Sequence, residues 1–225
     1  FGHVALSTMP TAGPTAGNGA FARYSDQKLT ATRFSNAIDV VPHAWQASDL
    51  AKIPTLYAPD IEPDELIDDL VAFAEQLSAG GDYTQLSAGP GWFPFPVEKS
   101  IIKPDASAAY NFVVQLAWQH TVAYNRYFGV VSDELEAWAA RFQTAAVAAA
   151  PAVALGLTTA AGIQRTAPVG GRPMVIPSGS DPQVAEVAAR VLEELRRNAT
   201  PEQQQIALPI DPQALADTRA AAPQP

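Results

Sequence analysis

A parallel α/β fold with a helical C-terminal extension is the class the sequence predicts, and three observations predict it. Two short β-rich runs flank a helical run within the first 35 residues, an amphipathic helix follows at 63–77, and a longer apolar helix spans 106–128. Strand, helix, strand in close succession implies a parallel βαβ unit, because two parallel strands need a crossover between them.

The first strand is read from Val4, Leu6 and Thr8, a buried strand that ends at Pro10. The turn-rich stretch Gly13-Pro14-Thr15-Ala16-Gly17-Asn18 follows. Asn18 is the expected N-cap of a helix over 19–29, with Ala20, Phe21, Tyr24 and Leu29 as its apolar positions. Residues 30–35 alternate Thr30, Thr32 and Phe34 with Ala31, Arg33 and Ser35, the pattern of a second strand. Asp39 then falls in the loop just past the carboxyl end of that strand, where functional groups collect in open parallel sheets.

The helix over 63–77 sets Leu66, Leu70, Phe73 and Leu77 on one face and Asp64, Asp68, Asp69 and Glu75 on the other. Residues 80–96 read as a long irregular connection. Asp105 is the expected N-cap of the helix over 106–128, which carries Tyr110, Phe112, Val113, Leu116, Trp118 and Tyr124 and must be largely buried. A further helical region begins at Asp133 and runs toward Pro151. Residues 165–181 read as loop with a short strand at 174–176, and 182–197 as a helix with Val184, Val187, Val191 and Leu195 on one face. The expected organisation is a domain over 1–130, a mainly helical extension over 131–197 and a disordered Pro/Gln/Ala-rich tail over 198–225.

Composition narrows the chemistry. A net charge of −9 leaves no basic stripe to neutralise phosphates, so nucleic acid is not an expected partner. The absence of cysteine removes disulfides, thiol catalysis and thiolate metal sites, and leaves the compartment open. Phe1 is not an initiating methionine, so a preceding segment is expected, and any signal peptide would lie there. The charge-free stretch 144–163 is mostly alanine broken by Pro151, Gly156 and Gly162; it is a poor membrane span and a better interfacial or buried helix. Glu62, Asp64, Glu65, Asp68 and Asp69 form an acidic run without the alternating ligands and turn glycine of a calcium loop, and are read as solvated surface. Neither metal nor cofactor is expected.

Two residues of an acyl-transfer triad can be proposed. Such a triad needs a nucleophile, an imidazole that accepts its proton, and a carboxylate that fixes the imidazole tautomer. Asp39 precedes His120 in the acid-then-histidine order of one large hydrolase class, an order that is permissive. On spacing alone the favoured reading of Asp39 is a loop aspartate bonding local backbone, and the rival reading of His120 is a structural histidine in a buried helix. His43 competes with His120 as base.

The segments Gly13-Pro14-Thr15-Ala16-Gly17-Asn18, Phe21-Ala22-Arg23-Tyr24 and Thr32-Arg33-Phe34-Ser35-Asn36-Ala37-Ile38-Asp39-Val40-Val41-Pro42-His43 together resemble class 3 (fungal-type) lipases. The resemblance covers residues 4–59 and continues more loosely to 128, where Gln119-His120 followed by Tyr124 is similar to the family's terminal catalytic histidine region. It implies a partial α/β-hydrolase, namely its last parallel strands and helices, with Asp39 as triad acid and His120 as base. His43 lies too near Asp39 for the family's arrangement.

The family's nucleophile elbow and oxyanion loop precede the matching segment and are not in this chain: no glycine here has a serine two positions after it. Thr15, in a G-x-T-x-G between a strand and a helix, is rejected as a substitute, since the elbow demands positive φ and threonine is β-branched. The resemblance therefore implies a lipid or ester substrate, transient contact with lipid surfaces, a missing N-terminal half of the same domain, and an inactive chain on its own. A non-catalytic hydrolase-like binding or assembly module is the rival reading, and a membrane protein anchored through 144–163 is a third.

Overall fold

The computed structural model describes residues 7–87 and 91–145, together with residues 190, 193, 194, 197 and 198. Val4 and Leu6, the strand at 174–176, nearly all of 146–197 and the tail beyond 198 lie outside the described residues.

The described chain combines helices with small parallel sheets. Strand β1 (Ser7–Thr8) pairs in parallel with β2 (Thr30–Ala31), and helix α1 (Gly19–Lys28) crosses between them, as the βαβ reading requires. Strand β3 (Phe34–Asn36) pairs in parallel with β4 (Gly91–Phe93). The two pairs are joined by the edge of residues 10–12: Phe34 N–H donates to the Pro10 carbonyl, Ala12 N–H donates to the Phe34 carbonyl, and Thr11 bridges Phe34. The single strand expected over 30–35 is thus two short ones, interrupted at Thr32 and Arg33, with Phe34 paired on both sides. Strand β4 lies inside the stretch read as irregular. Three residues between prolines carry too little periodicity to be recognised, and only pairing with β3 defines them.

Helix α1 starts at Asn18, whose side chain accepts from the Phe21 N–H at 3.1 Å. Its apolar stripe does not turn inward. Phe21 is 44% and Tyr24 63% exposed, and the buried residues are the small Ala22 and Ser25. Ser7 and Thr8 are likewise exposed, against the expectation of a buried strand.

Beyond β3 come two single-turn helices, α2 (Val40–His43) and α3 (Ala47–Leu50), and then α4 (Glu65–Ser78), which begins one turn past Ile61 with Asp64 as its N-cap. Its inner face centres on Ile67 and Val71 and leaves Leu66 and Leu70 only partly buried. Helix α5 (Ala108–His120) is capped by the Ser107 hydroxyl, which accepts from Tyr110 N–H at 3.1 Å; Asp105, two residues earlier, is not the cap. Every residue from Ala109 to Gln119 is buried. Two cores explain this: Ala109, Phe112 and Leu116 face one with Leu50, Tyr57, Ile61 and Ile67, while Tyr110, Val113, Val114 and Ala117 face another with Ile101 and Val122. A helix buried on all sides shows no clean polar stripe, so its end is not marked in the sequence.

The helix expected to run to 128 breaks at Thr121, whose backbone leaves the helical region at φ −129° and ψ −73°. Helix α6 (Val122–Tyr127) follows directly. Helix α7 (Asp133–Ala145) returns, placing Ala139 in the core beside α5 and Glu136 in an ion pair with Arg126.

Candidate active site

The end of β3 is built from buried polar residues. Asn36 is fully buried; its side-chain oxygen accepts from Ile38 N–H at 3.1 Å and its carbonyl accepts from Asp39 N–H at 3.1 Å, so the chain turns sharply and delivers Asp39 to the start of α2. Asp39 is 0% exposed. Its two oxygens have different tasks: Oδ1 accepts from Val41 N–H at 3.0 Å as the N-cap of α2, and Oδ2 lies 2.9 Å from His120 Nδ1. The local-capping reading and the imidazole-partner reading of Asp39 both describe the molecule, one oxygen each.

His120 is the last residue of α5, directly before the break at Thr121. The imidazole side chain is 30% exposed while its Asp39 partner is sealed from water. Asp39 is the only side chain hydrogen-bonded to His120 among the described residues. With Nδ1–H donated to the carboxylate, Nε2 is left as the acceptor, the tautomer a general base needs. The two residues are separated by 81 positions in sequence and brought together by packing of α2 against α5.

Neighbouring groups hold this approach in place, and the sequence reading did not single them out for that task. Asn36 Nδ2 donates to Gln119 Oε1 at 2.8 Å, tying the turn that carries Asp39 to the residue preceding His120. Gln119 Nε2 donates to the Pro96 carbonyl at 3.0 Å and to Gln115 Oε1 at 3.2 Å, and Gln115 in turn bonds the Glu98 backbone. Gln115 and Gln119 are four apart and both fully buried, a pairing visible in sequence as two amides on one face of an apolar helix. The Tyr124 hydroxyl oxygen accepts from Asn36 N–H at 2.8 Å, which joins α6 to the same turn. Burial and then the Asp39 charge push the Tyr124 hydroxyl well above the ordinary tyrosine range, and the same two causes raise Tyr57, whose hydroxyl is buried without a partner.

His43 is placed differently. Its Nε2 bonds the Ala37 carbonyl at 3.0 Å, its ring stacks on Trp92 at 4.5 Å, and burial lowers its pKa, so it stays neutral inside the fold. Thr15 is buried with its N–H donated to the Ala44 carbonyl at 2.7 Å, and it makes no bond to His120. In the acidic run Asp64 caps α4 through Leu66 N–H at 2.9 Å and Asp69 pairs with Arg190. Among the described residues no group of three or more His, Asp or Glu side chains could hold a metal ion, and no helix is long and apolar enough to cross a membrane.

No protein-family model matches this chain, and no curated protein matches it. Among solved structures, one described as the crystal structure of M37 lipase is similar, with 32% sequence identity and a TM-score of 0.47. That similarity covers 55% of this chain and 35% of the other, so this chain spans about a third of its length.

Proposed function

We propose that this chain carries the acid and the base of a serine carboxylic-ester hydrolase, a lipase or esterase, whose nucleophilic serine and oxyanion hole lie in an N-terminal segment of the same domain. The observation that carries the reading is the 2.9 Å approach of His120 Nδ1 to a fully buried Asp39 oxygen, with the imidazole side chain 30% exposed. A buried carboxylate that serves one imidazole nitrogen, with the second nitrogen open, is the acid–base half of a triad.

In this mechanism the His120 Nε2 takes the proton of the serine hydroxyl as its oxygen attacks the ester carbonyl. Asp39 holds the ring and stabilises the imidazolium. Collapse of the tetrahedral species expels the alcohol, which leaves with the proton from Nε2; water then repeats the sequence on the acyl-enzyme and releases the acid. No metal or redox step is needed for this balance.

The reading frame extended upstream of Phe1 provides the test. A G-x-S-x-G behind an apolar strand and hydrolysis of p-nitrophenyl butyrate by the extended protein are the expected results. Asp39→Asn should lower kcat about 10⁴-fold, because an asparagine that keeps the Val41 N–H contact must face the imidazole with its NH₂ and so favours the wrong tautomer. Undiminished turnover in Asp39→Asn would refute the role of Asp39. An upstream sequence without any elbow, with no esterase activity in the extended protein, would favour the rival reading of a hydrolase-like binding module. In the present chain alone, a low-field Nδ1 proton from His120 should be visible by NMR and vanish in Asp39→Asn.

A further inference from the structure

The loop Gly13-Pro14-Thr15-Ala16-Gly17 takes no part in the site above, yet it walls a cavity of about 360 Å³ whose other sides are Pro10, Arg33, Trp45, Gln85 and Leu86. That volume is within the range of about 300–1,000 Å³ found for small-molecule sites. The lining is mostly apolar, and two of its polar groups are incompletely satisfied. Thr15 is 3% exposed, and its hydroxyl has no hydrogen-bond partner. Arg33 is 6% exposed, and among the described residues no carboxylate is in ion-pair contact with it; its one hydrogen bond is a long 3.5 Å contact to the Pro42 carbonyl.

This guanidinium has no counter-charge in contact with it among the described residues. Asp49 is the acidic group whose field reaches Arg33, but its carboxylate is already bound by Lys52 through Oδ1 and by Gln85 through Oδ2 at 3.1 Å. Asp49 therefore spends both carboxylate oxygens on Lys52, whose side chain is largely exposed, and on Gln85, and leaves the buried guanidinium without an ion-pair contact. Trp92 covers one face of the guanidinium at 4.9 Å, which supports the cation without neutralising it. Buried charge of this kind is costly unless a counter-charge completes it.

We propose that the cavity binds a small amphipathic carboxylate, its charged end held by Arg33 and its hydrocarbon lying against Pro10, Pro14, Trp45 and Leu86. The guanidinium has five N–H donors in a planar fork suited to a carboxylate. Cationic ligands are repelled by the guanidinium, and a neutral alcohol of the same length gives it no ion-pair contact. The inference uses neither Asp39 nor His120, so it stands or falls apart from the ester-hydrolase reading.

Hexanoate titrated into the full chain, followed by calorimetry and by ¹H–¹⁵N NMR at Thr15 and the Trp45 indole, tests it against hexan-1-ol and hexylammonium. Hexanoate should bind saturably, at least about 10-fold more tightly than the alcohol, as expected for hydrogen bonds to a charged group. Arg33→Met should weaken hexanoate by about 10-fold or more on the same basis. Because Arg33 is buried and its loss could unfold the chain, Ala16→Trp provides a second variant: it fills the cavity from an exposed position and should abolish hexanoate binding while leaving the circular dichroism spectrum intact. Absence of saturable binding by the native chain, equal binding of hexan-1-ol, or unchanged binding in a folded Ala16→Trp would each overturn the proposal.

Discussion

Replacing Gln119 by leucine is the sharpest probe of how this chain holds Asp39 and His120 together. The substitution keeps side-chain size and helix propensity but removes both halves of the amide. Asn36 Nδ2 then loses its 2.8 Å acceptor and keeps only a 3.4 Å contact to the backbone carbonyl of residue 119. The Pro96 carbonyl loses the donor that now reaches it at 3.0 Å. Each buried group left unsatisfied costs about 1–3 kcal/mol, and the added apolar surface of leucine returns about 1 kcal/mol, for a net loss of roughly 1–5 kcal/mol. Against the 5–15 kcal/mol typical of a domain this is large; at roughly 2–8 °C per kcal/mol, Tm should fall by about 10 °C.

The assay is thermal and urea unfolding of the native chain, Gln119→Leu, Asn36→Ala and the double variant. Because the two side chains serve one another, the double variant should be less destabilised than the sum of the singles by about 0.5–3 kcal/mol. The His120 low-field proton should broaden or shift in both singles, since the Asn36–Gln119 bond links the turn of Asp39 to the end of α5. Additive losses, or a Gln119→Leu Tm within about 2 °C of native, would refute the claim that this bond holds the site.

Stability should also depend on pH in two directions. The His43 pKa is lowered by burial, so below about pH 6.5, the unperturbed value, the unfolded chain takes up a proton that the folded chain refuses, and stability falls as pH falls, at most about 1.4 kcal/mol per pH unit for that group. Tyr57 and Tyr124 are raised above the ordinary 10.0, so above that pH the unfolded chain loses protons the folded chain keeps, and stability falls as pH rises. Chemical denaturation from pH 4 to 11 checks both limbs; a flat profile contradicts them. Tyr124→Phe leaves the buried Asn36 N–H without its 2.8 Å acceptor and should cost about 1–3 kcal/mol in urea unfolding, against a loss near zero if the contact is incidental. Asp64→Ala removes the α4 cap and should cost about 1 kcal/mol, while calcium should leave the native Tm unchanged; a calcium-dependent rise would reinstate the acidic run as a cation site.

Short-range physics was legible in the residues themselves. Asn18 caps α1, β1 and β2 flank it in parallel, and Asp39 follows β3, because caps, strand propensity and turns act over a few positions. The choice of Asp39 and His120 over His43 came from the motif pattern, and the same local features are what place Asp39 at a turn. Which side of α1 faces inward, the existence of β4, the break at Thr121 and the amide tie from Asn36 to Gln119 were not legible. Each depends on a partner far along the chain: β4 on β3, and Asn36 on a residue 83 positions away. Sequence alone supplied a candidate carboxylate and a candidate imidazole as separate residues. Only tertiary packing, which buries the carboxylate and breaks α5 at Thr121, decided that the imidazole could meet it, because loop closure across 81 residues is set by the whole core and by no local preference.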